Sequence, residues 1–180
     1  MRIVAGRLKG KKFDAPQGFR SRPTTNFARE ALFNVLENRI DFSTVSMLDL
    51  FSGTGAFCYE AFSRGAENIM AVDNDPGSAK FIAGMMRKFG MNHARFHKAD
   101  VFRFVQSAPG KFDLVLADPP FDLEDLEHIP QAVISGQLLV SNGWLVLEHP
   151  PGKDFSMHAE FVELRKYGHV HFSFFRNSQP

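Results

Sequence analysis

The chain has 180 residues, which suffices for one well-packed domain and is short for two. Its composition, 44% hydrophobic and 23% charged, is typical of a globular protein, and its apolar runs are too short to span a membrane. The single cysteine, Cys58, excludes an internal disulfide framework and a cysteine-rich metal site. Because the N-terminus lacks a signal-peptide core, we expect a cytoplasmic protein with one domain over residues 1–180, comprising an extension (1–40) and a core (46–180).

The net charge of +1 hides an uneven distribution of charge along the chain. Residues 1–29 carry a net charge of +7, and the remaining residues carry −6. A basic segment on a mildly acidic body suits binding of a polyanion, because each phosphate that is neutralised releases counterions. The alternative is a flexible, solvated basic tail. The candidate nucleic-acid contacts are Arg2, Arg7, Lys9, Lys11, Lys12 and Arg20.

The N-terminal part of the chain is predicted to form a hairpin and a helix. Residues 2–5 and 11–14 could pair as a basic β-hairpin, and residues 16–23 have the composition of a linker. The polar residues 24–26 are candidate caps for a helix over residues 27–39. The apolar face of that helix should pack on the main domain and leave the hairpin outside.

From residue 46 the chain alternates short apolar runs with amphipathic ones, the pattern of a parallel sheet covered by helices. Strands are expected at residues 46–50, 68–73, 94–100, 112–117 and 143–149. Helices are expected at residues 57–64, 78–89 and 126–140. Residues 161–176 read as an antiparallel hairpin that turns at Tyr167-Gly168. The predicted fold is therefore α/β and Rossmann-like, a seven-stranded sheet with one reversed strand.

A glycine-containing loop, residues 49–55, joins the first predicted strand to its helix, where an open α/β sheet usually binds its ligand. Gly53 and Gly55 allow the backbone to approach a ligand closely. A dinucleotide-binding G-x-G-x-x-G pattern needs a third glycine where this chain has Cys58. Asp49 is also unfavourable beside a pyrophosphate, but it suits a ligand with an amino group or a sulfonium. The loop therefore argues against NAD as the bound cofactor.

Carboxylates are predicted at the carboxyl ends of four successive strands, along one rim of the sheet. Asp73 lies 18 residues beyond Gly55, a position from which a carboxylate can accept both hydroxyls of a ribose. Any one of the carboxylates could instead be a helix cap or a turn former. It is less expected that all four carboxylates are only caps or turn formers. This rim of the sheet is therefore the predicted ligand-binding site. The four residues are Asp49, Asp73, Asp100 and Asp118.

The fourth strand is followed by the turn Asp118-Pro119-Pro120-Phe121. Asp118 and the Pro119 carbonyl could accept the N–H groups of an exocyclic amine, which favours the pyramidal form that attacks a methyl group. Both prolines have fixed φ and no N–H, so the turn is stiff before a substrate arrives. Phe121 could stack on a base. The alternative is an ordinary turn followed by a core phenylalanine.

These features together resemble the class I S-adenosylmethionine-dependent methyltransferases, and more closely the RsmD family, which methylates the N2 amine of a guanine in small-subunit ribosomal RNA. The glycine loop is common to many methyltransferases, whereas residues 22–25 (Arg-Pro-Thr-Thr) and the Asp-Pro-Pro-Phe turn are more specific. The resemblance covers nearly the whole chain, in residues 2–6, 22–25, 29–34, 49–56, 60–61, 63–66 and 118–121.

The resemblance implies a role for each matched residue. The glycine loop would pass under the methionine part of the cofactor with Asp49 near its amino group, and Asp73, often Glu in the family, would hold the ribose. Asp100 and the backbone of Val101 would read the adenine. The catalytic residues would be Asp118, Pro119, Pro120 and Phe121. The full implied cofactor set is Arg22, Thr24, Arg29, Asp49, Phe51, Gly53, Gly55, Asp73, Asn74, Asp100, Val101 and Asp118.

Other acceptors and other classes of protein remain open. Related enzymes methylate DNA bases or protein glutamine, but they more often have Asn in place of Asp118 and carry an extra recognition domain. A non-catalytic RNA-binding module with a vestigial cofactor pocket is the alternative from a different class. No histidine pair has metal-ligand spacing, and His169 and His171 are expected to be exposed, so we expect no metal. The expected partner is ribosomal RNA or the assembling small subunit, bound by a monomer.

Overall fold

The computed structural model describes residues 1–14, 24–108 and 110–178, and its centre is one seven-stranded sheet. The strands are β1 (Ser46–Leu50), β2 (Asn68–Asp73), β3 (Arg95–Lys98), β4 (Phe112–Ala117), β5 (Leu139–His149), β6 (Phe161–Tyr167) and β7 (Val170–Arg176). They lie in the order β3-β2-β1-β4-β5-β7-β6. Only β7 is reversed, since it pairs antiparallel with both β5 and β6. The predicted sheet is therefore confirmed.

Five α-helices and one short 3-10 helix accompany the strands in the described part of the chain, and all but α1 connect two strands. The helices are α1 (Asn26–Glu37), α2 (Ala56–Ser63), α3 (Pro76–Phe89), α4 (Val101–Ser107) and α5 (Ile129–Ser135), with the 3-10 helix at Leu126–His128. Thr25 caps α1, as expected for residues 24–26, because its hydroxyl accepts the N–H of Ala28 at 3.2 Å. Within the described residues, no helix is long and apolar enough to cross a bilayer.

Three predicted elements were wrong in their extent: the third strand, the helix expected over residues 126–140 and the fifth strand, expected at residues 143–149. The third strand ends at Lys98, because Asp100 caps α4, a helix that the sequence analysis missed. The helix expected over residues 126–140 instead ends at Gly136, and the chain enters β5 at Leu139. The long β5 contains a register shift against β4, next to Asn142 with its positive φ of 62°. Such an irregular strand start lacks the clean apolar run that a prediction needs.

The core lies on both faces of the sheet. Successive residues of a strand point to opposite faces, so Met47 packs with α1, α2 and α3 while Leu48 packs with α4 and α5. Leu114 and Val115 divide in the same way on β4. Because both faces are covered, the open carboxyl ends of the strands are the part of the sheet that remains available for a ligand.

Residues 1–14, which we call the N-terminal arm, lie against this core. Arg2 and Lys12 form an isolated antiparallel bridge, as the predicted hairpin requires. The hairpin does not stay outside, however, because Ile3 and Phe13 are buried in the core. Phe13 packs edge-on against Tyr59 of α2, with ring centroids 5.0 Å apart. The arm is therefore a docked part of the fold, and the expectation of a free hairpin was wrong.

Candidate active site

The loop between β1 and α2 has a backbone that requires glycine. Gly53 and Gly55 have φ of 51° and 76°. Phe51, which directly follows β1, also has a positive φ of 60°. A Cβ on Gly55 would lie 2.6 Å from the Tyr59 hydroxyl, so no other residue fits there without displacing that ring. The Gly53 N–H donates to Asp73 Oδ2 at 2.7 Å. The end of β2 thus fixes the shape of the glycine loop.

Asp49 is buried beneath this loop, with 1% of its surface exposed. Its Oδ2 accepts a hydrogen bond from the Cys58 thiol at 3.0 Å, while Oδ1 has no hydrogen-bond partner among the described residues. Burial raises the pKa of Asp49 to about 8, and the charges of Asp118 and Asp73 add to the rise. A buried carboxyl with an unpaired oxygen is a favourable place for a cationic group.

The next residues of the rim have structural contacts of their own. Asp73 is half-buried, and its second oxygen, Oδ1, accepts the N–H of Asp75 at 2.9 Å. Asn74 is exposed beside it. Asp100 is exposed and caps α4 through the N–H of Arg103 at 3.0 Å, while Val101 is buried as the first residue of that helix. The helix-cap alternative therefore holds for one oxygen of Asp100.

The Asp-Pro-Pro-Phe turn lies directly after β4, beside the glycine loop. The Asp118 N–H donates to the Leu50 carbonyl at 3.2 Å, which joins the turn to the end of β1. Pro119 is buried and Pro120 exposed, and the carbonyl of Pro120 is taken by a backbone N–H at 3.0 Å. Phe121 is 43% exposed, so it is not a core residue. The turn presents an aromatic ring to solvent next to a carboxylate.

Asp118 shares a hydroxyl with a second carboxylate that the sequence analysis did not predict. Thr24 Oγ1 lies 3.1 Å from Asp118 Oδ2 and 2.7 Å from Oε2 of Glu148, near the end of β5. Glu148 is only 3% exposed. Burial raises the pKa of Asp118 to about 7, and the Thr24 hydrogen bond opposes that rise. The pKa of Glu148 lies well above its usual range, through burial first and the Asp118 charge second.

Comparison with known proteins identifies the family. The family described as "Conserved hypothetical protein 95" matches residues 1–176. The chain belongs to the RsmD family. It is 31% identical to "Ribosomal RNA small subunit methyltransferase D" of Escherichia coli K12, over 82% of this chain and 71% of that one. The enzyme of the same name from Haemophilus influenzae is also 31% identical, over 81% and 73%.

Solved structures bear out the fold of this RsmD-family chain. A Thermus thermophilus protein described as hypothetical superposes with a TM-score of 0.84 at 26% identity, over 97% of this chain and 98% of that one. An Escherichia coli structure superposes with a TM-score of 0.87 over 100% of this chain and 99% of that one. Its identity is 22%, so that likeness concerns the fold alone. The class I methyltransferase fold expected from the sequence is confirmed.

Arg29, matched to the family as a cofactor contact, lies in the interior instead of on the rim. It is fully buried, and its Nη2 donates to the Arg2 carbonyl at 2.6 Å and to Asn26 Oδ1 at 2.8 Å. Its Nε lies 3.9 Å from Oε2 of Glu60, a buried carboxylate on α2. Burial lowers the pKa of Arg29, and the charges of Glu60 and Glu148 oppose that change. Direct contact with a cofactor requires an exposed face that Arg29 lacks here.

The candidate nucleic-acid contacts divide into two groups. Arg2, Lys9, Lys11 and Lys12 are exposed on the arm. Arg7 already pairs with Glu67 at 2.7 Å, and its guanidinium lies 3.7 Å from the centre of the Phe62 ring. Arg20, the remaining candidate nucleic-acid contact, and Arg22, which was implied as a cofactor contact, lie outside the described residues.

The histidines offer no metal site in the described ranges, where no group of three or more candidate ligands occurs. His169 is exposed as expected, but the exposure predicted for His171 was wrong. His171 is 8% exposed because its ring packs against the buried ring of His149 on β5, with centroids 5.8 Å apart. His149 in turn lies 2.8 Å from the Ser173 hydroxyl and 2.9 Å from the Pro150 carbonyl. Both rings are therefore part of the packing between β5 and β7.

Proposed function

We propose that this chain transfers a methyl group from S-adenosylmethionine to the exocyclic N2 amine of a guanine in small-subunit (16S) ribosomal RNA. The observation that carries the proposal is the turn Asp118-Pro119-Pro120-Phe121, which we call the acceptor turn. In it, Asp118 is held beside the glycine loop and Phe121 is exposed next to Asp118. The relatives named ribosomal RNA small subunit methyltransferase D support the substrate class. The proposal takes residues 1–180 as one methyltransferase domain.

The rim has the chemistry that this cofactor needs. Asp49 Oδ1, buried and unpaired among the described residues, suits the cationic amino group of the methionine part. Asp73 has lone pairs left for the ribose hydroxyls, and Asn74 lies exposed beside it. The first backbone N–H groups of α4, starting at Val101, have no partner within the helix and suit an adenine nitrogen. The bound cofactor supplies a methyl group on a sulfonium, a good leaving group that requires no metal.

At the acceptor turn, the protein's task is to hold the amine in line with the methyl group. The Asp118 carboxylate and the Pro119 carbonyl accept the two N–H groups, and Phe121 stacks on the guanine ring. After transfer, Asp118 or water takes the proton that leaves the amine. Because the pKa of Asp118 is about 7, the ionised form that accepts hydrogen bonds increases as the pH rises through neutrality. Transfer should therefore be faster at pH 8 than at pH 6.

The deciding experiment incubates the protein with labelled S-adenosylmethionine and undermethylated small subunits or free ribosomal RNA, and maps the product by mass spectrometry. A methyl group on guanine N2 supports the proposal. Transfer to DNA or to protein glutamine, offered in parallel reactions, would overturn the assigned acceptor. No cofactor binding in equilibrium dialysis would favour the non-catalytic RNA-binding module instead.

Substitution of the acceptor turn tests its role. Asp118→Ala should retain cofactor binding and lose at least about a hundredfold in transfer, as for other groups that act in the transition state. Asp122→Ala removes an exposed carboxylate that follows the turn directly, and it serves as the control. If Asp118→Ala transferred methyl groups at the rate of the control, the turn would not be the acceptor site.

The arm is proposed as the RNA contact. Lys9, Lys11 and Lys12 are exposed, and each contact to a phosphate would release a counterion. Reversal of these three charges should weaken RNA binding and reduce the slope of log affinity against log salt. An unchanged slope, measured by filter binding over a salt series, would contradict this assignment.

A further inference from the structure

The Thr24 hydroxyl lies between two carboxyl groups and cannot satisfy both of them as a donor. Its oxygen is 2.7 Å from Glu148 Oε2 and 3.1 Å from Asp118 Oδ2, both within hydrogen-bond distance. A hydroxyl has one hydrogen to donate, and it can accept through its lone pairs. Two ionised carboxylates offer no hydrogen of their own. One of the two short contacts therefore requires a proton on a carboxyl group.

The surroundings decide which carboxyl group holds that proton. Glu148 is 3% exposed, whereas Asp118 is half-buried at the open rim. Ionisation costs more at the more buried group, because water solvates it less. Burial raises the pKa of both groups, and the Asp118 charge adds to the rise at Glu148. The proton therefore belongs on Glu148.

The charged groups around Glu148 do not reverse this order. Asp118 on the side of β4 is negative and disfavours a second charge. Arg29 on α1 is the nearby positive group, but its guanidinium contacts the Arg2 carbonyl and Asn26, and its closest carboxylate is Glu60 on α2. Among the described residues, Glu148 forms no ion pair within 4.0 Å. Arg29 thus acts on Glu148 at a distance and not as its partner.

We propose that Glu148 is a positioning residue whose protonated carboxyl group donates a hydrogen bond to the Thr24 hydroxyl, so that Thr24 donates its own hydrogen bond to Asp118 and holds it as a carboxylate with Oδ1 directed to the substrate amine. The inference rests on the proposed function, because it assigns Asp118 to the acceptor. Glu148 keeps its proton throughout, and the proton released from the methylated amine leaves by Asp118 or water. The direction of the hydrogen bonds, from Glu148 through Thr24 to Asp118, is what the arrangement fixes.

Infrared difference spectroscopy tests the protonation without any measurement of activity. The spectrum of the wild-type protein minus that of Glu148→Gln at pH 7 should contain the carbonyl stretch of a protonated carboxylic acid. The same subtraction with Glu127→Gln, an exposed glutamate paired with Lys153, should lack it. A wild-type minus Glu148→Gln spectrum with only carboxylate bands would overturn the proposal, whether or not the protein methylates RNA.

Kinetics test the positioning. Glu148→Gln keeps an N–H donor for Thr24, and should retain about a third or more of kcat, whereas Glu148→Ala should lose roughly 10- to 100-fold in kcat with little change in cofactor affinity. Thr24→Ser should retain kcat as Glu148→Gln does, and Thr24→Val should lose kcat as Glu148→Ala does. Equal kcat for Glu148→Ala and the wild type would overturn the proposal. If Glu148→Ala does not fold, the pair of Thr24 variants decides in the same way.

The pH profile gives a result that a purely structural role of Glu148 does not predict. If Glu148 is neutral in the wild type, Glu148→Gln leaves the charge near Asp118 unchanged, and the acidic limb near pH 7 should move by less than about half a pH unit. If Glu148 is ionised, the same substitution removes a neighbouring negative charge, and the acidic limb should move to lower pH by about one unit or more. A shift of the acidic limb of that size to lower pH would overturn the proposal. A wild-type protein without transfer activity would instead refute the proposed function, and the infrared test would still decide the protonation.

Discussion

Replacement of Gly6 by alanine should loosen the contact between the N-terminal arm and the last turn of α2. Gly6 has a φ of 74°, and a Cβ built on it would lie 1.9 Å from the backbone carbonyl oxygen of Ser63. A backbone atom in the last turn of a helix cannot move aside cheaply, so the arm must move instead. Gly10, with a φ of 83° and no atom within 4 Å of the place a Cβ would occupy, provides a matched control in the same arm.

The difference between the two variants can be worked out from the contacts. Alanine at a positive φ costs about 1 to 2 kcal/mol at either position, and the unfolded chain is affected equally. At Gly6 the clash also removes the Arg7 N–H bond to Ser63 O, the Leu8 N–H bond to Ser63 Oγ and the Ser63 hydroxyl bond to Ala5 O. At about 1 kcal/mol each, these three bonds make Gly6→Ala about 3 kcal/mol less stable than Gly10→Ala.

Thermal unfolding measures this difference directly. For a chain of 180 residues, about 3 kcal/mol corresponds to a Tm difference of roughly 6 to 12 °C. Limited proteolysis with trypsin should also cut Gly6→Ala first at the lysines of the arm, while Gly10→Ala resists as the wild type does. If the two Tm values lie within about 2 °C of each other, the arm is not held by the contacts to α2 and the reasoning is refuted.

Three further predictions concern buried ionisable groups. Glu60→Gln should lower the free energy of unfolding by about 3 to 5 kcal/mol because it leaves buried Arg29 without its nearest carboxylate, and a loss below about 1 kcal/mol in urea would contradict this. Binding of S-adenosylmethionine at pH 7 should release protons, because the cationic amino group that we propose beside Asp49 would lower the pKa of Asp49 from about 8. A binding enthalpy that is independent of the buffer in calorimetry would count against it. Burial lowers the pKa of His149, so the unfolded state binds a proton that the folded state does not, and stability should fall as the pH drops below about 6.5. His149→Phe should reduce that fall, and parallel curves of urea midpoint against pH for the two proteins would refute the assignment.

The regular strands of the sheet were predictable because their apolar runs have clear ends. β1, β2 and β4 begin and end where the sequence placed them. Helix α4 was missed because its seven residues make only about two turns, too few to show a clear helical periodicity. Its signal was nevertheless present, in Asp100 as a cap and in apolar residues three and four positions apart, Val101, Phe104 and Val105.

The site was predictable where backbone geometry demands particular residues. The positive φ values of the glycine loop and the stiff turn at Asp118 leave a trace in the sequence as glycine and proline. Glu148 leaves a weaker trace, since it is an acidic residue directly after the apolar residues 145–147 of β5. Its contact with Thr24 joins residues 124 positions apart, and no local pattern reports such a contact. The sequence can show that a buried carboxylate is unusual, but not what it touches.

The docked arm has a consequence for how RNA would reach the acceptor turn. Glu60 accepts the N–H groups of Val4 and Ala5 at 2.9 and 3.1 Å, and Arg29 holds the Arg2 carbonyl, so the exposed lysines extend from a backbone that is anchored to the core. A free tail would raise the local concentration of RNA without orienting it, whereas an anchored arm would orient bound phosphates relative to Asp118. Charge reversal on the arm should then raise the KM for RNA and leave kcat nearly unchanged. Gly6→Ala keeps every charge but removes the contacts that hold residues 5–8 to Ser63, so it should lower kcat for the RNA substrate as well as the affinity for RNA.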